Sequence, residues 1–186
     1  HGSSFPSKDG EDTGFGTFNS AAGRDVIDYA HGIFNALQLG PAGKTKSSDS
    51  SPYCGTIFSG NPLFIDLKQL TEKKWDNILS QETFEKVVAG NPNQNKGKTA
   101  YSYIMKALKE AWANFKEIHG GIFGSSLKKE FDKFKKENSF WLDNDSLYEA
   151  LSIENDNDFW YTWKNETDKK LMNPKSEEEK KAYAAR

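Results

Sequence analysis

Cysteine is almost missing from this chain. With Cys54 alone among 186 residues, an internal disulfide framework is excluded and a reducing compartment suits the protein. Histidine is nearly as scarce. His1, His31 and His119 share no metal-ligand spacing and Cys54 has no cysteine partner, so no metal and no cofactor are expected. A surplus of positive charge is absent as well, since 25 Lys and Arg face 27 Asp and Glu for a net charge of −2. The basic field that grips a phosphate backbone is lacking, and nucleic acid is not expected as a partner. No apolar run approaches the roughly 20 residues of a membrane-spanning helix, and no signal peptide is visible. A cytoplasmic setting without a membrane partner is the expectation, and the Asn-x-Ser/Thr sequons at Asn144 and Asn165 read as chance matches.

What is present begins with a loop. Residues 3–19 are rich in Gly, Ser and Asp, and Ala21 to Ala30 then follows as a short amphipathic helix with Val26 and Ile27 inward. Ile33 to Leu39 is a short, largely apolar run closed by Gly40-Pro41, the pattern of a buried strand. That order of loop, helix and strand is a fragment of βαβ architecture if a first strand precedes His1. Beyond Leu70 the pattern turns helical. From Thr99 to His119, Ile104, Leu108, Ala111, Trp112, Phe115 and Ile118 recur at helical spacing. Leu127 to Asn138 repeats the pattern with Leu127, Phe131 and Phe134 inward and Ser126 as N-cap. Ser176 and Glu179 form a capping box for a last helix that has no Gly or Asn stop, so the chain reads as part of something larger.

The segment from Gly40 to Leu67 is the most informative. It leaves the strand end as an irregular loop dense in Pro, Gly and Ser and carries one tyrosine, Tyr53. Long loops of this kind are ordered by packing or by binding, and they carry function more often than helical stretches do. For Tyr53 the spacing leaves binding and packing equally open.

Other chemistry is weaker. Gly14-Phe15-Gly16 starts like a dinucleotide fingerprint but has no third glycine and no strand before it, and reads as a turn. No Gly-x-Ser-x-Gly elbow is present. Asp143 and Asp145 are close carboxylates beside a tryptophan, yet residues two apart on a helix do not face each other, and acids at a helix start are the simpler reading. Aromatics make up 13% of the chain; Trp75, Trp112, Trp141, Trp160 and Trp163 mostly sit at core spacing.

Four segments in order resemble the 4-α-glucanotransferases, the amylomaltases or disproportionating enzymes of family 77 of the glycoside hydrolases. His1-Gly2-Ser3-Ser4-Phe5-Pro6-Ser7 is similar to the family's His-x-Thr/Ser-Ser-Leu-Pro-Ser at the end of its first barrel strand, which favours a native His1 over a tag remnant. Leu37 to Gly43 resembles the exit of the second strand, Leu-Pro-Leu-Gly-Pro-Thr-Gly. Ser51-Pro52-Tyr53 followed by Gly60-Asn61-Pro62-Leu63-Phe64-Ile65-Asp66-Leu67 resembles the family's most specific signature. Phe140 to Tyr148 is similar to Phe-Trp-Leu-Glu-Asp-Tyr-Ala-Leu-Phe. There are departures: the insertion from Lys44 to Ser50 lacks the usual tyrosine, Cys54 replaces a glutamine, and Asp143-Asn144 stands where Glu-Asp is usual.

The resemblance implies an α/β fold, the N-terminal part of a TIM (β/α)8 barrel with large, mostly α-helical insertions. Residues 1–70 would hold the first βα units and the substrate loop, 71–138 a helical insertion, and 139–186 a continuing helical segment cut at its end. It further implies retaining double displacement on α-1,4-glucans such as maltooligosaccharides, without cofactor or metal, by carboxylates from strands beyond this chain. No residue here is assigned to catalysis. Ser51 and Tyr53 carry over as sugar-contacting residues. The rival reading, from another class, is a non-catalytic glucan-binding or helical interaction module that has kept the loop.

Overall fold

The computed structural model describes residues 4–45, 51, 53, 58–94, 96–119, 125–156, 159–172 and 174–184. The regular structure among them is helical: α1 (Ala21–His31), α2 (Gln81–Ala89), α3 (Tyr101–His119), α4 (Ser126–Glu154), α5 (Glu166–Leu171) and α6 (Glu177–Ala184), with short 3-10 turns between. The chain divides into two compact units, His1–Ala42 with Gly60–Phe131, and Gly43–Ser59 with Asp132–Arg186.

The first unit is built on an aromatic and aliphatic core. Phe15, Leu63, Phe64, Leu67, Leu79, Phe84, Ile104, Ala107 and Ala111 are buried together. The rings of Phe15 and Phe64 meet edge to face at 5.5 Å between centroids. Helix α1 begins because the Ser20 hydroxyl accepts from the Gly23 N–H at 3.0 Å, relieving one of the unpaired donors of a first turn. It docks by that turn. A Cβ on Gly23 would stand 2.3 Å from the Thr17 carbonyl oxygen and 2.7 Å from Phe18 Cα, so only glycine lets the two backbones meet. Gly14 is similarly constrained: its φ is +89°, and a Cβ there would lie 2.8 Å from both Ala100 Cβ and Asn91 Oδ1. The Gly14-Phe15-Gly16 stretch is thus a bend that sends Phe15 into the core.

Docking by its first turn explains where α1 differs from the pattern. Its buried residues are Ala22 and Gly23, whereas Val26 is exposed and Ile27 half-buried. The run that follows differs more. Residues 33–39 form no strand, and Ile33, Phe34, Leu37 and Leu39 are all exposed. An extended segment becomes a strand only when neighbouring backbone completes its hydrogen bonds, and no described segment lies beside it in a ladder. The described residues therefore contain no barrel. In α3, Ile104, Ala107, Ala111 and His119 are buried, while Ile118 and Trp112 are exposed. Trp112 instead stacks on Phe115, with centroids 5.6 Å apart.

The second unit centres on Leu147, Leu151, Trp163 and Leu171, with Tyr148, Met172 and Tyr183 packed against them. Trp163 is the tryptophan at the core positions; Trp75, Trp112 and Trp160 are exposed and Trp141 is half-buried. Helix α4 runs unbroken through the polar pair Asn138-Ser139, because no Gly or Pro interrupts it and both side chains bond carbonyls one turn back, Asn138 to Phe134 at 2.9 Å and Ser139 to Lys136 at 3.3 Å. Its cap is Ser125 rather than Ser126: the Ser125 hydroxyl accepts from the Lys128 N–H at 3.2 Å. Phe134 is exposed. The capping box of α6 is formed, with the Glu179 N–H bonded to the Ser176 hydroxyl at 3.2 Å and the Glu179 carboxylate accepting from the Ser176 and Lys175 N–H groups at 3.1 and 2.8 Å. No helix among the described residues is long and apolar enough to cross a membrane.

Two expectations follow. Gly23→Ala forces the Thr17–Phe18 backbone away from α1 and lowers stability by about 1–3 kcal/mol in denaturant unfolding; an unchanged midpoint contradicts the close approach. The backbone donors of Lys175 and Ser176 hold the Glu179 carboxyl below its ordinary value, so its support of α6 is complete above that ordinary value and is lost as pH falls through the lowered one. Protection of the Ser176 and Glu179 amides, measured as exchange relative to the intrinsic rate at each pH, should fall over that acid interval and stay flat above it.

Candidate functional site

The loop from Gly40 to Leu67 is closed at its base. The Lys44 N–H donates to the Ser59 carbonyl at 2.9 Å, and the Asn61 N–H to the Ala42 carbonyl at 2.8 Å. A neck of this kind spares the intervening residues the cost of finding each other, which grows only slowly with their number.

In the first unit, the Gly60-Asn61-Pro62-Leu63-Phe64-Ile65-Asp66-Leu67 signature is an anchor. Asn61 caps a 3-10 turn by accepting from the Leu63 N–H at 3.0 Å, and Pro62 fixes its first φ. That turn drives Leu63 and Phe64 into the core. The Phe64 carbonyl accepts from the Thr17 hydroxyl at 2.8 Å and the Asn19 amide at 3.0 Å. Asp66 accepts from the Lys68 N–H at 3.1 Å and the Gln69 amide at 3.1 Å. The motif's carboxylate is spent on a turn. The same unit holds a polar cleft of about 580 Å³ in which Ser4, Pro6, Ser7, Asn93, Lys98 and Thr99 take part; it contains the described end of the first motif, while His1 lies outside the described residues.

In the second unit Lys44, Phe58 and Ser59 rest on α4. The Ser59 hydroxyl donates to Asp145 Oδ2 at 2.7 Å. Lys44 pairs with Glu149, both groups being about a third exposed. The Phe58 ring lies parallel to Trp141, 5.7 Å away at 14°, and meets Phe140 edge-on at 6.1 Å. Trp141 is itself fixed, since its indole N–H donates to Asn138 Oδ1 at 3.1 Å. A hydrogen bond to a charged group contributes about 1.5–3 kcal/mol where it is dry and less where water reaches it; an exposed ion pair contributes about 0.2–1 kcal/mol, and an aromatic pair about 0.5–1.5 kcal/mol.

Ser51 and Tyr53 stand on the loop so held. The Tyr53 N–H faces the Ser51 hydroxyl at 3.4 Å, at the long limit of a hydrogen bond. The Tyr53 ring is 80% exposed, so little of the described structure packs on it. It offers a ring face and a hydroxyl to whatever approaches. Cys54 and Pro52 lie outside the described residues.

The remaining candidates resolve into structure. Asp143 and Asp145 diverge: Asp145 accepts from Ser59, while burial first and the Asp143 charge second push the Tyr183 phenol up from its ordinary value. No cluster that could hold a metal occurs among the described residues. A Ser125, His119 and Asp76 alignment in the first unit resembles a nucleophilic triad in type only. Ser125 lies 2.6 Å from His119 Nδ1 but already caps α4, and Asp76 stands 3.7 Å from Nε2, beyond hydrogen-bond reach. Sequence reading missed Lys44, Phe58, Ser59 and Glu149 as loop holders. One signal was available: Asp145 and Glu149 are four apart, hence neighbours on one helical face.

The family model for 4-alpha-glucanotransferases, glycoside hydrolase family 77, matches residues 1–186. Among curated proteins, the 4-alpha-glucanotransferase of Clostridium butyricum is 33% identical over 171 residues, 88% of this chain and 31% of that protein. That of Streptococcus pneumoniae is 30% identical over 81% of this chain and 28% of its own length. The Thermus thermophilus protein is 28% identical over 76% of this chain and 27% of its own. The chain therefore spans less than a third of the length of these relatives. No solved structure matches it. Matched along all its residues, this chain belongs to the 4-alpha-glucanotransferase family, glycoside hydrolase family 77.

Proposed function

We propose that the protein containing this chain is a cytoplasmic 4-α-glucanotransferase that moves α-1,4-linked glucan segments between maltooligosaccharides by retaining double displacement, and that Ser51 and Tyr53 contact the sugar. The observation that carries the reading is the family match along residues 1–186. The loop supports the roles of the two residues: it is hydrogen-bonded across its base and presents an exposed tyrosine beyond it. An aromatic ring with two rotatable side-chain bonds loses little freedom when a sugar face settles on it. A serine hydroxyl donates and accepts at short range, which suits a sugar hydroxyl.

On this reading residues 33–39, exposed here, become a strand of a (β/α)8 barrel completed by chain beyond Arg186, and the loop after them belongs to the barrel face where such enzymes keep their sites. Residues 1–70 then supply the first βα units and the loop, 71–138 a helical insertion, and 139–186 a continuing helical segment. The nucleophilic Asp and the acid–base Glu come from later strands. Transfer prevails over hydrolysis when a sugar hydroxyl reaches the covalent intermediate before water does, so a loop that covers an acceptor subsite favours transfer.

The test is product analysis with the full-length protein and maltotriose. Glucose and longer maltooligosaccharides should appear while the number of reducing ends stays constant, because transfer conserves glycosidic bonds; rising reducing ends, or no product, overturns the assignment. Tyr53→Ala should slow transfer roughly 5–30-fold, the equivalent of about 1–2 kcal/mol for one lost ring contact, with an unchanged unfolding midpoint. Full activity in that variant removes Tyr53 from the site. Residues 1–186 alone should release no glucose from maltotriose.

A further inference from the structure

We propose that Asp145 and Ser59 are positioning residues for glucan binding, holding the loop that presents Ser51 and Tyr53 against one face of α4. The proposal rests on the glucan-transfer reading above.

Four observations from the second unit converge on it. Lys44 and Ser59 are backbone partners, the Lys44 N–H donating to the Ser59 carbonyl at 2.9 Å. Each then sends its side chain to α4, Ser59 to Asp145 at 2.7 Å and Lys44 to Glu149. Asp145 and Glu149 are one turn apart on the same helical face, so both sides of the neck are tied to one rigid surface. The residue before Ser59, Phe58, lies flat on the Trp141 ring at 5.7 Å, a third contact of the neck with the same helix. Tyr53 lies between Lys44 and Ser59 in the chain and its ring is 80% exposed. A side chain this exposed takes its place from the backbone that carries it, and on the proposal that backbone is anchored through the neck residues Lys44, Phe58 and Ser59.

Of the contacts, Ser59 to Asp145 is the one with direction. The ion pair of Lys44 and Glu149 joins two long side chains and tolerates movement, and stacked rings slide. A short hydroxyl on a short carboxylate has only three side-chain torsions between one backbone and the other, and its geometry is narrow. Loss of that bond frees the loop to sample orientations in which Tyr53 misses the sugar. Affinity then falls by the fraction of time the loop is misplaced, while chemistry at the downstream carboxylates proceeds as before once sugar is bound. The signature is a rise in KM without a matching fall in kcat.

The experiment uses the full-length protein with maltotriose. Ser59→Ala, Asp145→Ala and the double variant should each raise KM about 5–20-fold with kcat within about twofold, the double being no worse than Asp145→Ala because that change already removes the Ser59 bond. Asp145→Asn keeps an acceptor for the Ser59 hydroxyl and should return KM to within about twofold of wild type. Hydrogen exchange of the amides from Lys44 to Ser59 should quicken in the two alanine variants and not in Asp145→Asn. Unchanged exchange in both alanine variants overturns the proposal whatever the activity, and so do additive effects on KM. A wild-type protein without transfer activity overturns the functional assignment instead, and exchange then still decides whether Asp145 holds the loop.

Discussion

The candidate site depends on the pairing of backbone across the base of one loop. Two hydrogen bonds, from Lys44 to Ser59 and from Asn61 to Ala42, close it. Neither is strong by itself, since a backbone bond contributes about 1 kcal/mol net. What gives them weight is that the residues beside them are separately fixed. Within the first unit, Leu63 and Phe64 are buried two and three residues after Asn61 and cannot slide. Within the second, Ser59 and Lys44 are tied to Asp145 and Glu149. A backbone pairing whose neighbouring side chains are separately held keeps its register, which is what the base of a binding loop needs.

Composition and spacing made part of this legible. Helices α1 and α3 stand close to where periodicity puts them, and the Ser176–Glu179 capping box is formed, because caps and periodicity are local and need no knowledge of partners. Burial was less legible. Val26, Trp112 and Ile118 lie on apolar stripes yet are exposed, since a stripe says only which face can be buried and not whether anything covers it. The helical pattern from Leu127 is followed only to Asn138, whereas α4 runs through Asn138-Ser139 to Glu154; polar side chains there need not bond away from the helix. The two side chains bond back to their own helix instead, an option that propensity does not register.

The strand from Ile33 to Leu39 shows the limit most sharply. Its sequence is apolar and closes on Gly-Pro, as a buried strand should, but strand structure is a property of pairs. A helix satisfies its own backbone, whereas a strand is completed only by another strand. Residues 33–39 are exposed among the described residues, and the pattern that identified them describes an environment rather than a conformation.

The same distinction separates the two halves of the family signature. Gly60 to Leu67 is specific because it is a structural device: a cap, a proline, two core residues and a carboxylate that bonds its own turn. Such a segment is demanding of residue type at nearly every position. Ser51 and Tyr53 are demanding in another way, for nothing in their own packing calls for tyrosine. A ring that is 80% exposed stays in water in the folded and the unfolded chain alike, so it adds little to folding free energy in either direction. On stability alone the position is nearly indifferent to residue type. On the glucan-transfer reading proposed above, its chemistry answers to a ligand, and the residues proposed to hold the loop act through the ring.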